Sequence, residues 1–174
     1  IAIKKTKRYD AHAGQFNLWS GSGMNQVMTR HALIITVLIW AGVCIGANMI
    51  AAPAKFHVAD LTLPVALQVG RVQFQWIRYF EVIMASLALL FVLAAPPRVK
   101  RLLGIAIAIF VVQGAVILPL LSARTDLVIT GQYTGGSYMH IYFIICEFIK
   151  IITLISGAIF AMPVKTESVR HADT

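Results

Sequence analysis

Charge is scarce in this chain. Only 13% of its 174 residues are Asp, Glu, Lys or Arg, and only 7 of them are acidic. That leaves too little polar material to cover a soluble globule, so a soluble domain is excluded. Cysteine is scarcer still. Cys44 and Cys146 show neither CxxC nor His-rich spacing, which argues against a zinc site and for two structural thiols packing as small hydrophobes. The formal charge of +8 is not matched by a basic patch interleaved with aromatics on a foldable soluble unit, so no nucleic-acid partner is expected. A cleavable signal is also missing, because the first apolar run is long enough to remain in a bilayer and to serve as the insertion signal.

What the chain has is long apolar runs. Hydrophobic residues make up 59% of it, and mean hydropathy is +0.79. A spanning helix needs about 20 mostly apolar residues to cross roughly 30 Å of hydrocarbon at about 1.5 Å per residue. Four stretches qualify, at 31–52, 79–95, 102–121 and 139–162. The fold expected is an all-α membrane protein, a four-transmembrane-helix bundle, forming one domain over 24–174. Its first partner is the lipid bilayer.

Basic residues gather at the edges of these runs. Arg98, Lys100 and Arg101 follow Pro96 and Pro97 in the shortest connection, Arg30 precedes the first run, and Lys165 and Arg170 follow the fourth. The positive-inside rule then gives an N-in, C-in protein of the bacterial inner membrane. Lys55, Arg71, Arg78 and Arg124 on the outer side stand against that orientation. Residues 1–23 are polar, carry Lys4, Lys5, Lys7 and Arg8, and end in Ser20, Gly21, Ser22 and Gly23. The break in composition points to a native start at Met24, with a native cytoplasmic tail as the competing reading.

The chemistry lies on two helices. Glu147 and Lys150 interrupt the fourth run, and charges at that depth cost several kcal/mol unless paired, so they mark a bundle interior, a cavity or a functional site. Arg71, Phe74, Arg78 and Glu81 follow i, i+3, i+7, i+10 spacing, and so do His140, Phe143, Glu147 and Lys150. Each set is confined to about 80 degrees of one helix face. Both helices run inward from the outer side, so the faces can meet as a polar seam of Arg71, Arg78, Glu81, Gln113, His140, Glu147 and Lys150, with Asn48 contributing from the first helix. The spacing places Glu81 and His140 near the outer interface, Glu147 about 13 Å down and Lys150 about 18 Å down. Arg78 with Glu81, and Glu147 with Lys150, are the expected pairs. The seam either fixes helix register or forms a cavity or ion path with His140 and Glu147 as titrating groups.

No catalytic constellation, metal site or cofactor is expected; a bis-histidine haem would need partners at matched depth, and only His140 offers one. Gly42 and Gly46 form a GxxxG that permits close helix approach within the bundle or in a homo-oligomer. Trp40, Trp76, Tyr79, Tyr138 and Tyr142 read as interfacial anchors, and Pro119 as a source of a kink.

Two resemblances arise. Ala52, Pro53, Gly70, Arg71, Phe74 and Glu81, then Leu118, Pro119, Ala123, Arg124, Asp126 and Gly131, then His140, Tyr142, Glu147 and Lys150 resemble a group of uncharacterised four-helix bacterial inner-membrane proteins. That group is related to a domain of unknown function shared with a eukaryotic transmembrane family linked to cisplatin resistance. The resemblance covers 24–162 and implies a fold with almost no mechanism. Arg71, Val72 and Glu81 are also similar to the second-helix pattern of the membrane-associated eicosanoid and glutathione metabolism proteins, which implies a glutathione-dependent transferase. Phe74, Gln75 and Arg78 depart from that pattern at the positions of its second Arg-Ala and its Asn. Three functions stay open: small-molecule or ion handling through the seam, an accessory subunit of a larger membrane complex, and the glutathione-type enzyme.

Overall fold

The computed structural model describes residues 7–132 and 138–163, with side chains from residue 25 onward. Lys4, Lys5, Lys165 and Arg170, invoked above for the extension and the orientation, lie outside the described residues. Among the described residues every regular element is helical. Helix α1 (Lys7–Cys44) continues through a widened π-helical stretch, Ile45–Ala51, one α-turn, Ala52–Ala54, and a closing 3-10 turn, Lys55–His57. The composition break at Met24 is therefore not a break in the helix. Next come α2 (Leu63–Val92) and α3 (Pro97–Val112), a second π-helical stretch at Gln113–Ile117, α4 (Leu118–Ile129) and α5 (Tyr138–Ala161). Four rods, Asn25–His57, Leu63–Val92, Pro97–Ile129 and Tyr138–Ala161, are long and apolar enough to cross a membrane.

The second rod differs most from expectation. Hydropathy placed its span at 79–95, yet α2 begins at Leu63 and has 30 residues, about 45 Å at the usual rise. Thr62 sits at its N-cap in extended conformation and Pro64 in its first turn, where the ring's fixed φ and missing N–H suit a helix start. Arg98, Lys100 and Arg101, expected in a loop, lie instead in the opening turns of α3, which starts at Pro97. Only residues 93–96 separate α2 from α3. Helix α4 ends where Gly131 takes a φ of 72°. The Gln132 N–H then reaches the Leu127 carbonyl at 2.9 Å and the Gly131 N–H the Val128 carbonyl at 3.1 Å, the paired bonds that close a helix through a left-handed glycine.

Helix α5 packs along α1 and α3, and α1 along α2, whereas α2 touches α3 and α4 only lightly. The apolar core fills the end of the bundle near the α2–α3 turn. Leu33, Val37 and Trp40 of α1 meet Ala85 and Ala88 of α2, Val99, Leu103 and Ala106 of α3, and Leu154 and Ala158 of α5. Small residues on α2 and α5 let the rods close there. At the same end Arg30 donates through Nε to the Ala161 carbonyl and through its other guanidinium nitrogen to the Met162 carbonyl, placing a cation on the terminal carbonyls of α5. Gly42 and Gly46 meet no neighbour at the position of a Cβ. The close approach expected of the GxxxG is therefore not made among the described residues. The outer faces are apolar, with Leu90, Leu93 and Ile152 among many exposed large side chains.

Candidate functional site

Above the apolar core, charged side chains converge on a buried point. Glu147 and Lys150 of α5 are fully buried, and Glu81 of α2 is 7% exposed. The Lys150 ammonium donates to Glu81 Oε1 at 2.5 Å and to Gln113 Oε1 at 3.0 Å, and it lies 3.0 Å from Glu147 Oε2. Two acceptors thus take protons from it, and the second carboxylate stands in ion-pair contact. The surrounding groups complete the network. Asn48 donates to Glu147 Oε1 and Gln113 to Glu147 Oε2, each at 2.9 Å. The Trp40 indole N–H donates to Glu81 Oε1 at 3.0 Å, and Cys44 Sγ lies 3.2 Å from the same oxygen. The centre of the Phe110 ring stands 5.9 Å from the Lys150 ammonium and 5.8 Å from the Arg78 guanidinium. Asn48 Oδ1 is buried without a hydrogen-bond partner among the described residues.

Local backbone explains how four rods reach one point. Both π-helical stretches lie at this level, one starting just after Cys44 and carrying Asn48, the other starting at Gln113. Such widened turns recur at functional sites. Here they present the donors to Glu147 from α1's extension and from the α3–α4 junction. Pro119, in the first turn of α4, follows the second stretch, so the expected irregularity is a change of helix pitch.

The structure brings together Glu81, Gln113, Glu147 and Lys150, and it rearranges the expected pairing. Glu81 pairs with Lys150 across the bundle, at the depth of Lys150 rather than near the outer interface. Arg78 pairs with no carboxylate among the described residues. Its guanidinium lies against the backbone of Gly114, where any Cβ would overlap it. Trp40, expected as an interfacial anchor, is wholly buried in this network, because an indole N–H in an apolar bundle needs an acceptor and Glu81 supplies it. Cys44 likewise belongs to the polar centre rather than to inert packing. Cys146 is half-buried.

Arg71, Arg78 and His140 stand around a cavity of about 340 Å³ between α2 and α4. Lys55, Leu67, Phe74, Leu118 and Pro119 complete much of its wall. Arg71 pairs with Asp126 at 2.6 Å, both side chains being well exposed. A crevice of about 10 Å³ shares Phe74, Arg78, Gly114 and Leu118 with the cavity, and Glu81 and Gln113 with the charged centre. That is about the smallest space able to hold one water. A further cavity of about 250 Å³ lies behind Lys55, Phe74 and His140. Phe74 meets Phe143 edge-on at 5.2 Å.

Cys44, Glu81 and Glu147 bring ligand atoms within 4.8 Å of one another, close enough to grip a metal ion. The Lys150 ammonium contacts both carboxylates and takes the place of that cation. Chemically the centre can hold or pass a proton: two carboxylates oppose one ammonium, and Glu81 borders the crevice. Sequence reasoning missed Lys55 and Gly114. The signal for Lys55 was present, since it is one of the four basic residues that stood against the expected orientation.

Comparison with protein families, with curated proteins and with solved structures gave no match.

Proposed function

We propose that the protein is a multi-pass protein of the bacterial inner membrane, N-in and C-in, that handles a small molecule or ion through the seam, with a proton held at the charged centre. The apolar outer faces and the buried charges invert the pattern of a soluble protein, which supports the membrane reading. One observation carries the function. Glu81 and Glu147 share a single lysine in direct contact in a buried site, where an ion without a partner costs several kcal/mol. A proton on one carboxylate, or the Arg78 guanidinium that lines the same crevice as Glu81, offsets the second charge.

Glu81 is the group placed to exchange that proton, because its carboxyl borders the crevice that shares residues with the cavity. The groups facing it are Cys44 and Trp40 from α1, Arg78 from its own helix, Gln113 from the α3–α4 junction, and Lys150 and Glu147 from α5. The glutathione-type activity gains no support, since Glu81 is engaged by Lys150 and Trp40.

The test is proton movement into vesicles loaded with a pH-sensitive dye after an external acid step. Vesicles with the wild-type chain should acidify faster than protein-free vesicles, and Glu81→Gln should remove the difference while its helical circular dichroism is retained. Equal rates with and without protein, or an unchanged rate in folded Glu81→Gln, would leave the seam as a scaffold and favour the accessory-subunit reading.

A further inference from the structure

The cavity between α2 and α4 combines two properties that seldom occur together. Its lining is basic in part: Arg78, Arg71, Lys55 and His140 all line it, and no carboxylate does among the described residues. Its remaining wall is largely apolar, with Leu67, Phe74, Leu118 and Pro119. Lys55 lies against Gly70, donates to Gln73 at 3.4 Å and stands 5.4 and 5.6 Å from the Phe56 and Phe74 rings. Arg78 reaches the Phe110 ring. Neither cation meets a carboxylate among the described residues, although Arg71 does.

We propose that this cavity binds a single-chain amphiphile with an anionic head group, the head on Arg78 and Lys55 and the chain along Leu67 and Leu118. The proposal deepens the small-molecule reading above and rests on it for the role of the seam. Charge complementarity selects the head. A guanidinium that lines the cavity, with the Phe110 ring 5.8 Å away and no carboxylate paired to it among the described residues, suits a phosphate or carboxylate, which can accept two parallel hydrogen bonds from such a group. The apolar wall selects a chain, and the volume of about 340 Å³, near the lower end of ligand-pocket sizes, selects one chain rather than two. Gly114 is what admits the head. With no side chain there, Arg78 can lie against the helix backbone where it lines the cavity, and any larger residue would push it away.

The experiment uses the purified full chain in a neutral detergent and measures equilibrium binding of dodecyl phosphate. Dodecanol, with the chain and no charge, and inorganic phosphate, with the charge and no chain, serve as comparisons. Dodecyl phosphate should bind, and both comparisons should bind at least tenfold more weakly. Arg78→Gln should weaken dodecyl phosphate by roughly tenfold or more, the size of effect expected when a charge-assisted hydrogen bond is lost. Gly114→Ala should weaken it too while retaining the arginine. Equal binding of dodecanol, equal binding of inorganic phosphate, or unchanged affinity in both variants with the fold intact would overturn the proposal. If dodecyl phosphate fails to bind while Glu81-dependent proton movement is present, only the ligand class falls.

Discussion

At the scale of single residues, Lys150 matters more than either acid. Removing its charge leaves Glu81 and Glu147 facing each other without a counter-ion, and breaking a buried pair from one side typically costs about 3–5 kcal/mol. Lys150→Met should therefore lower thermal stability in detergent severely, and adding Glu81→Gln and Glu147→Gln should restore much of it. Glu147→Gln alone has a different expectation, because it leaves Lys150 balanced by Glu81 and gives Asn48 Oδ1 an amide donor within reach. It should unfold within about 1 kcal/mol of wild type, the net worth of an ordinary hydrogen bond. Loss of stability in Glu147→Gln equal to that in Lys150→Met would show that the two carboxylates do not share the lysine. The interior position of Glu147 and Lys150 was legible from their placement in an apolar run. The partner of Glu81 was not, because Arg78 three residues earlier and Lys150 on another helix both satisfy the pattern. Only the rotation of α2 against α1, set by Trp40 and Cys44, decides between them.

At the scale of helices, hydropathy located all four rods but not their lengths. It shortened α2 because Gln68, Arg71, Gln73, Gln75 and Arg78 depress the average, although such residues extend a helix readily and Thr62 and Pro64 mark its start. The widened turns were not legible, since nothing in the local residue types requires an extra residue per turn at Ile45 or Gln113; the need to aim Asn48 and Gln113 at Glu147 arises only when the rods are assembled. The Arg30 cap on α5 was likewise hidden, because its partners are backbone carbonyls more than a hundred residues away. Arg30→Ala should release the last turn of α5, seen as faster amide hydrogen exchange there, with a loss of about 1–2 kcal/mol for a charged hydrogen bond at a helix end. Exchange unchanged at the end of α5 would show that the cap contributes nothing.

At the scale of the molecule, the packing is uneven. One end is closed by alanines and leucines around Trp40, while the other holds α2 away from α4 by the width of a cavity. The four outer basic residues that weighed against the orientation divide accordingly, with Lys55, Arg71 and Arg78 facing that cavity. The orientation we propose rests instead on Arg98, Lys100 and Arg101, which are exposed at the start of α3, read by the positive-inside rule. Cysteines introduced at Arg98 and at Gln132 should react oppositely with an impermeant thiol reagent on intact cells, only the second being labelled. Labelling at 98 and not at 132 would invert the molecule.

The bond from the Trp40 indole to Glu81 has a consequence for observation. Excitation moves electron density in an indole away from its nitrogen, so the emission wavelength responds to charge at that end of the ring. Trp40 is buried with its nitrogen 3.0 Å from a carboxylate oxygen, whereas Trp76 is exposed. With Trp19 and Trp76 changed to phenylalanine, the colour of the remaining fluorescence becomes an internal gauge of the charge on Glu81. The protein carries its own optical indicator at the centre of the bundle, and the state of the carboxyl can be followed without a label.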